Sequence, residues 1–310
     1  MKDTILFGDC RDTLKQFDEK ARCCVTSPPY YGLRDYGGED KQIGLEQTPE
    51  EYIEEMVNVF RLVRDNLTDD GTLWLNIGDS YYNYRPGKGG LPQQTVSNTK
   101  QDLPDQCNRR ANKLKGLKEK DLIGIPWMLA FALRADGWYL RQDIIWHKPN
   151  PMPESVRDRC TKSHEYIFLL SKNKHYYYDN ESIKVPAKDW GTRDRTNGKY
   201  HNEGTGLQPH SGLTKSYSKA NKRSVWSITN KSYKGAHFAT YPPELITPCI
   251  LAGSEENDIV LDPFMGSGTT AMVARSLGRY YIGCELHEEY NNLIQERVPV
   301  NILSTISPTG

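Results

Sequence analysis

Five consecutive residues near the start of the chain, Thr26-Ser27-Pro28-Pro29-Tyr30, combine hydrogen-bond acceptors with an aromatic face in a turn that cannot flex. The two prolines remove two N–H donors and fix the backbone, so carbonyl oxygens project from a rigid loop. The Ser27 hydroxyl oxygen and the Pro28 carbonyl can both accept from an exocyclic NH₂, and Tyr30 offers a ring on which a planar base can stack. An amine held in that way has its lone pair aimed at one point. A plain Pro-Pro turn with a packing tyrosine has the same five residues, and the pentapeptide alone does not decide between the two.

The second chemical feature lies near the other end, in Val260-Leu261-Asp262-Pro263-Phe264-Met265-Gly266-Ser267-Gly268-Thr269-Thr270-Ala271, where a strand passes through a glycine turn into a helix. Gly266 and Gly268 permit a tight turn, and the helix beginning at Thr269 offers unpaired N–H groups to an anionic or carboxylate-bearing ligand. Glu285 closes the following strand, where it can accept hydrogen bonds from both hydroxyls of a ribose. Together these make half of a nucleoside-cofactor site.

Gly266-x-Gly268-x-x-Ala271 also satisfies the loose dinucleotide pattern, so an NAD-dependent oxidoreductase competes, whereas the lack of Gly-Lys-Ser/Thr dismisses an ATP phosphate loop. Position argues against NAD. Nicotinamide folds normally begin with this loop, yet here only about forty residues follow it, enough for one helix-strand-helix unit. The remaining strands must come from the N-terminal part, where candidates end at Asp9 and Ser27, and the sheet is therefore predicted to be circularly permuted.

The elements that position these loops are legible as alternating strands and helices, the sign of a mostly parallel sheet. Strands are predicted at Thr4–Phe7, Ala21–Thr26, Thr72–Ile77, Trp138–Trp146, Glu165–Leu170, Ile259–Leu261 and Tyr280–Cys284, the fourth and fifth forming a hairpin at a sheet edge. Helices are predicted at Asp12–Phe17, Pro126–Ala135, Pro243–Leu251, Thr269–Leu277 and His287–Arg297. Another opens at Thr48-Pro49-Glu50-Glu51, where Thr48 is the N-cap, Pro49 sits at the first position and Glu51 completes a capping box. Apolar residues at Tyr52, Ile53, Met56, Val59, Phe60 and Val63 then recur at helical spacing.

The net charge of zero conceals an uneven distribution: residues 1–82 carry −8, 83–120 carry +6, 121–140 carry −1, 141–235 carry +9 and 236–310 carry −6. A basic middle between acidic ends can hold a polyanion, although lysines that merely solvate long loops give the same sums. Seven cysteines, an odd number without CxxC spacing, suggest neither a disulfide framework nor a zinc ribbon. Cys23, Cys24 and the histidines lack ligand spacing, so no metal is expected. No run of about 18 apolar residues occurs and the N-terminus is too polar for a signal peptide, so a cytoplasmic protein without a membrane span is expected.

Taken together, TSPPY near the start, DPFMGSGTT near the end and the acidic Glu285 resemble the beta class of bacterial and phage DNA amino-methyltransferases. These transfer methyl from S-adenosylmethionine to N4 of cytosine or N6 of adenine. The likeness covers most of the chain, taking in Gly8-Asp9, Asn76-Ile77-Gly78-Asp79, Ile145 to Pro153 (IWHKPNPMP) and His237 to Pro242. It implies an α/β, circularly permuted Rossmann-like methyltransferase fold with a mixed, mostly parallel seven-stranded sheet and helices on both faces. The resemblance further implies that Asp262, Phe264, Gly266 and Gly268 line the methionine side of the cofactor, with Thr269 also among its contacts. Glu285 would meet the ribose, Asp9 the adenine end, and Phe238 a segment closing the pocket. Ser27, Pro28, Pro29 and Tyr30 resemble the catalytic loop that holds a flipped base.

On this reading residues 1–182 form a catalytic half with a mobile basic loop at about 84–120, 183–236 the target-recognition region, 237–298 the cofactor-binding half, and 299–310 a flexible tail. The reaction expected is site-specific methylation of double-stranded DNA by base flipping and direct displacement, without a covalent intermediate. In the family a serine at position 27 is commoner for cytosine N4, with adenine N6 the alternative. A methyltransferase for RNA or for protein glutamine would share the Pro-Pro loop, but the basic insert favours duplex DNA. Arg193, Arg195, Lys199, His201, Lys222 and Arg223, with Arg109, Arg110, Lys113 and Lys115 of the loop, are the candidate contacts to phosphates or base edges. Relatives of this class often pair, which makes a homodimer an expectation. No endonuclease signature is present, so cleavage in a restriction-modification system would belong to a separate cognate endonuclease.

Overall fold

Alternation of apolar side chains along each inner strand determines the layering, because successive residues of a strand point to opposite faces. In the computed structural model, which describes residues 1–32, 42–82, 114, 116–187, 218–230 and 241–298, ten strands and six α-helices are formed by these residues. The strands are β1 (Thr4–Phe7), β2 (Ala21–Thr26), β3 (Leu67–Ile77), β4 (Tyr139–His147), β5 (His164–Ser171), β6 (Val185–Pro186), β7 (Lys219–Ala220), β8 (Val225–Ser227), β9 (Ile259–Asp262) and β10 (Tyr280–Glu285). The helices are α1 (Cys10–Thr13), α2 (Pro49–Asn66), α3 (Ile125–Ala135), α4 (Pro243–Gly253), α5 (Thr269–Ser276) and α6 (Asn291–Arg297).

Eight strands join in the order β1-β10-β9-β2-β3-β5-β4-β8, and β6 and β7 form a separate two-stranded ribbon. Only β5 runs against the rest, being antiparallel to both β3 and β4, while β8 is parallel to β4. Cys24, Leu73, Leu75, Phe168, Leu170 and Leu261 pack on one face with α1, α2 and α3. Cys23, Val25, Trp74, Ile167, Leu169 and Val260 pack on the other, with α4 and part of α5. Both faces are covered, which is why these strands read as continuous apolar runs.

The α/β class, the permuted order and the helices on both faces agree with expectation. The strand count does not: Val225–Ser227 adds an eighth strand to the seven expected. Three residues carry too little periodicity to read as a strand, and the buried Trp226 is what seats them beside Trp146. The β4–β5 hairpin therefore pairs as predicted but is not the edge, and this strand falls inside the stretch 183–236. β3 begins at Leu67 instead of Thr72, because Asp70-Gly71 forms an irregularity within the strand and not a turn before it. The helix expected at 287–297 is a 3-10 turn, Glu288–Tyr290, followed by α6, and that expected at 12–17 is α1 followed by a 3-10 turn at Leu14–Gln16. Most of the expected loop at 84–120 and the tail at 299–310 lie outside the described residues. No described helix is long and apolar enough to cross a membrane.

Thr48 caps α2 as predicted: its hydroxyl accepts from Glu51 N at 3.2 Å, while Glu51 Oε2 accepts from Thr48 N at 3.1 Å. All six apolar residues of the predicted stripe are buried. At about 1.5–3 kcal/mol each, their burial outweighs the helix propensities by a wide margin. This helix links β2 to β3 in one direction across the sheet, whereas α5 links β9 to β10 in the other. The reversal falls between β9 and β2, which are adjacent. Ligands of open α/β sheets bind outside the carboxyl ends of the strands at such a switch point.

Candidate active site at the β2–β9 switch point

The loops carrying the two chemical features leave neighbouring parallel strands at the same edge. Cys23 and Cys24 of β2 pair with Val260 and Leu261 of β9, so Thr26 and Asp262 emerge side by side. The Thr26 hydroxyl donates to Asp262 Oδ1 at 2.6 Å, across 236 positions of sequence. Phe264 N donates to the same oxygen at 3.0 Å. Asp262 Oδ2 accepts from the Thr270 hydroxyl at 2.5 Å and the Tyr241 hydroxyl at 3.1 Å. Asp262 is 1% exposed. Burial pushes its pKa above the ordinary carboxylate value, against the pull of these four donors. The residue expected beside the cofactor's methionine thus has both oxygens occupied by protein and works as a clip between the Pro-Pro and glycine loops.

Beyond Asp262 the chain turns through Gly266 (φ +54°) and Gly268 (φ +78°) before α5 begins at Thr269. Both glycines occupy the left-handed region that side chains disfavour. Gly268 is the N-cap and has no side chain to close the first turn, so the leading N–H groups of α5 have no side-chain partner. A Cβ added at Gly266 would meet nothing nearer than the Phe264 carbonyl oxygen at 3.9 Å, so the loop borders open space that any larger residue would fill. Arg297 of α6 braces the far side, its Nη1 donating to the Ser267 carbonyl at 2.7 Å and its Nη2 to the Thr269 hydroxyl at 3.1 Å. Thr269 is buried, and its hydroxyl serves this brace.

Glu285, at the end of β10, accepts Gly266 N on Oε2 at 2.7 Å and His287 N on Oε1 at 2.9 Å. Burial raises its pKa, and the two backbone donors oppose the rise. Each oxygen keeps acceptor capacity beyond its one backbone donor. Asp9 follows β1, whose last residue Phe7 pairs with Glu285. It caps α1 by accepting Arg11 N at 2.8 Å and also holds the Arg11 guanidinium, with Nη2 to Oδ2 at 2.6 Å. Arg11 in turn reaches Glu55 at 2.8 Å. Asp9, Asp262, Phe264, Gly266, Gly268, Thr269 and Glu285 therefore all gather at one end of three adjacent strands. Phe238 lies outside the described residues.

In the Pro-Pro loop Pro28 is buried and Ser27, Pro29 and Tyr30 are half-buried. The Tyr52 hydroxyl of α2 donates to the Pro29 carbonyl at 2.9 Å, which fixes that end of the turn. The Tyr30 hydroxyl donates to Glu165 Oε2 at 2.7 Å. Burial, then the neighbouring Glu165 charge, lift the Tyr30 pKa well above that of a free phenol, so it remains a donor. Lys148 pairs with the other oxygen of Glu165. The Asn76 amide nitrogen donates to the Tyr166 carbonyl at 3.0 Å and to Glu165 Oε2 at 3.3 Å.

Gly78 makes room for this arrangement, since a Cβ there would lie 2.7 Å from Tyr30 Cε2 and 3.3 Å from Glu165 Cδ. Gly78→Ala is expected to displace the Tyr30 ring and slow single-turnover methyl transfer by roughly tenfold or more, because small misplacements at a reacting centre are costly. A rate within twofold of wild type in a rapid-quench assay would discard this role.

Glu165, Lys148, Thr26, Tyr241 and Arg297 received no individual role from the sequence. Glu165 alone left a local signal, a carboxylate at the mouth of the buried run EYIFLL. Among the basic candidates, Lys222 and Arg223 lie in the described part. The Lys222 ammonium sits 4.9 Å from the Trp226 ring centre, and the exposed Arg223 gives its carbonyl to Trp226 Nε1 at 2.7 Å. Arg193, Arg195, Lys199, His201, Arg109, Arg110, Lys113 and Lys115 lie outside the described residues.

Comparison with known proteins agrees with this arrangement. The profile of the DNA methylase family for N6 and N4 amines matches residues 21–296. The Type II methyltransferase M.SmaI of Serratia marcescens is 49% identical over 300 residues, covering 95% of this chain and 90% of the relative. Among solved structures, the PvuII DNA methyltransferase (cytosine-N4-specific) superposes with a TM-score of 0.65 at 19% identity, over 98% of this chain and 89% of that one. The Thermus thermophilus protein TTHA0409, solved with S-adenosyl-L-methionine, gives a TM-score of 0.57 at 23% identity, over 94% and 90% respectively. With its Pro-Pro loop first, its glycine loop last and the two joined through Thr26 and Asp262, the chain belongs to the DNA methylase family of amino-methyltransferases.

Proposed function

We propose that this protein methylates the exocyclic N4 amine of cytosine at a specific site in double-stranded DNA, taking a flipped base into the pocket beside Ser27. The observation that carries the reading is the Thr26–Asp262 hydrogen bond at 2.6 Å, which ties the base-holding loop to the cofactor loop. Glu285 and the open space before Gly266 suit a nucleoside, and the residues present fit S-adenosylmethionine. Glu285 would accept the ribose hydroxyls, and the leading N–H groups of α5 would face the methionine carboxylate. When bound, that cofactor supplies an electrophilic methyl on a sulfonium.

The chain's own residues supply the geometry. Extrusion of the base costs a few kcal/mol, and stacking on Tyr30 offsets part of it. The Pro28 carbonyl, which has no donor among the described residues, and the Ser27 hydroxyl accept from the target NH₂. Those bonds favour a pyramidal nitrogen and stabilise the positive charge that develops on it. Ser27, where an aspartate or asparagine is commoner for adenine, supports cytosine as the target. A separate endonuclease recognising the same site, and pairing of two copies of the chain, accompany this reading as expectations.

Nucleoside analysis of DNA methylated by the purified protein is expected to yield N4-methylcytosine. N6-methyladenine without N4-methylcytosine would overturn the choice of base, and no methylated nucleoside would overturn the reaction.

The raised pKa of Glu285 predicts a pH dependence with a definite sign. Protonation removes acceptor capacity and begins at a higher pH than for a free glutamate, so donor affinity is full above that range and falls as pH drops through it. Calorimetric titration with S-adenosylmethionine should show an acid limb in the wild type. Glu285→Gln should bind more weakly without that limb, and an identical limb in the variant would assign it to another group.

A further inference from the structure

We propose that Glu165 is a positioning residue for base stacking: it holds the Tyr30 hydroxyl, so that the ring stands at a fixed angle before any base enters the pocket. The inference rests on the base-flipping reading above and names a residue that prepares its stacking face without touching the base.

A tyrosine ring moves by two rotations, one that swings its long axis and one that spins the ring about that axis. Both are restrained at Tyr30. Its hydroxyl donates to Glu165 Oε2 at 2.7 Å, which pins the far end of the axis. A bond to the hydroxyl alone leaves the spin free, because that oxygen lies on the axis. Gly78 restricts the spin from the side: its backbone comes so close that a Cβ there would stand 2.7 Å from Tyr30 Cε2.

The acceptor is itself held fast. Glu165 is the second residue of β5 and lies across from the end of β3, where Ile77 pairs with Tyr166. Its Oε2 also accepts from the Asn76 amide nitrogen at 3.3 Å, and its other oxygen is paired with the Lys148 ammonium. Donors from the Pro-Pro loop, from β3 and from the residue after β4 thus converge on one carboxylate whose side chain is 16% exposed. The phenol has one proton to give, and Asn76 Oδ1, at 3.4 Å, is the poorer acceptor for it. Lys148 belongs to the segment IWHKPNPMP and Glu165 to EYIFLL, so two stretches that the amino-methyltransferase reading had left without a task meet in this one.

A side chain immobilised only when its ligand arrives subtracts that ordering from the binding, a factor of about three to ten for one ring. In a flipped complex the loss takes the form of fewer bases aligned with the donor, and hence of a slower transfer step.

The test is a double-mutant cycle on the full-length protein: Tyr30→Phe, Glu165→Ala and the two combined, read as the single-turnover methylation rate with duplex and donor saturating. Tyr30→Phe keeps the ring and removes the tether. Each single variant is expected to slow transfer by about three- to tenfold. The combination should be no slower than the slower single variant, because both substitutions remove the same bond. Affinity for S-adenosylmethionine, measured by calorimetry, should stay within about twofold of wild type in all three, since the glycine loop and Glu285 are untouched.

A Tyr30→Phe variant as fast as wild type would overturn the proposal by itself, whether or not Glu165→Ala folds. So would slowings that multiply in the combined variant, or a matching loss of donor affinity, since either would mean that Glu165 supports the fold independently of Tyr30. Absence of any methylated nucleoside with the wild-type protein would instead refute the functional reading, so the two failures are distinct.

Discussion

Asp262→Ala is expected to lower the free energy of unfolding by about 2–4 kcal/mol and to slow methyl transfer by on the order of a hundredfold. The stability loss follows from donors left without acceptors. The Thr26 hydroxyl and Phe264 N both depend on Asp262 Oδ1, and each buried donor so orphaned costs about 1–3 kcal/mol. On the other oxygen the loss is milder, because Thr270 and Tyr241 are within hydrogen-bonding distance of each other and Thr270 also reaches the Val25 carbonyl at 3.3 Å. Relief of the buried charge offsets a further part. On the proposed function, the kinetic loss follows from the release of the two loops assigned to base and donor, where small misplacements are costly. Denaturant titration and single-turnover kinetics measure the two effects. A variant as fast as wild type would show that strand pairing alone sets the spacing.

Ser27→Ala should produce the opposite division, with stability held within about 0.5 kcal/mol and kcat reduced on the order of 10²–10³. The side chain is half-buried and lies past the end of β2, so the core is untouched. What would disappear is the acceptor proposed above for the reacting nitrogen. Affinity for the cofactor should remain, because no residue of the Asp262–Glu285 side is altered. Retention of more than a tenth of wild-type kcat would move the catalytic burden to the Pro28 carbonyl and leave Ser27 a lesser part.

The contrast between these variants tracks what could be read from the residues in order. Ser27, Gly266 and Glu285 were legible because each belongs to a short motif whose chemistry is local: a turn, a glycine bend, a strand end. Thr48 and Glu51 gave the start of α2 for the same reason. Thr26 and Glu165 were not legible as functional, because their partners Asp262 and Tyr30 lie 236 and 135 positions away and only the sheet brings them together. β8 escaped notice on different grounds, since three residues held by one buried tryptophan leave no period to detect. Asp262 stands out in its motif, and two of the donors to its carboxylate, Phe264 and Thr270, lie in that motif, but Thr26 and Tyr241 come from elsewhere in the chain and no local pattern announces them.

Pairing of β2 with β9 also has a temporal consequence. The two adjacent strands are far apart in the chain, Cys23 pairing with Val260, and the contact that closes them carries a large loop entropy. A nascent chain that has not yet reached β9 has a Pro-Pro turn with nothing opposite it. Methylating capacity should thus arrive in a single step once β9 and β10 have been made, and fragments that stop before β9 should have no enzymatic activity.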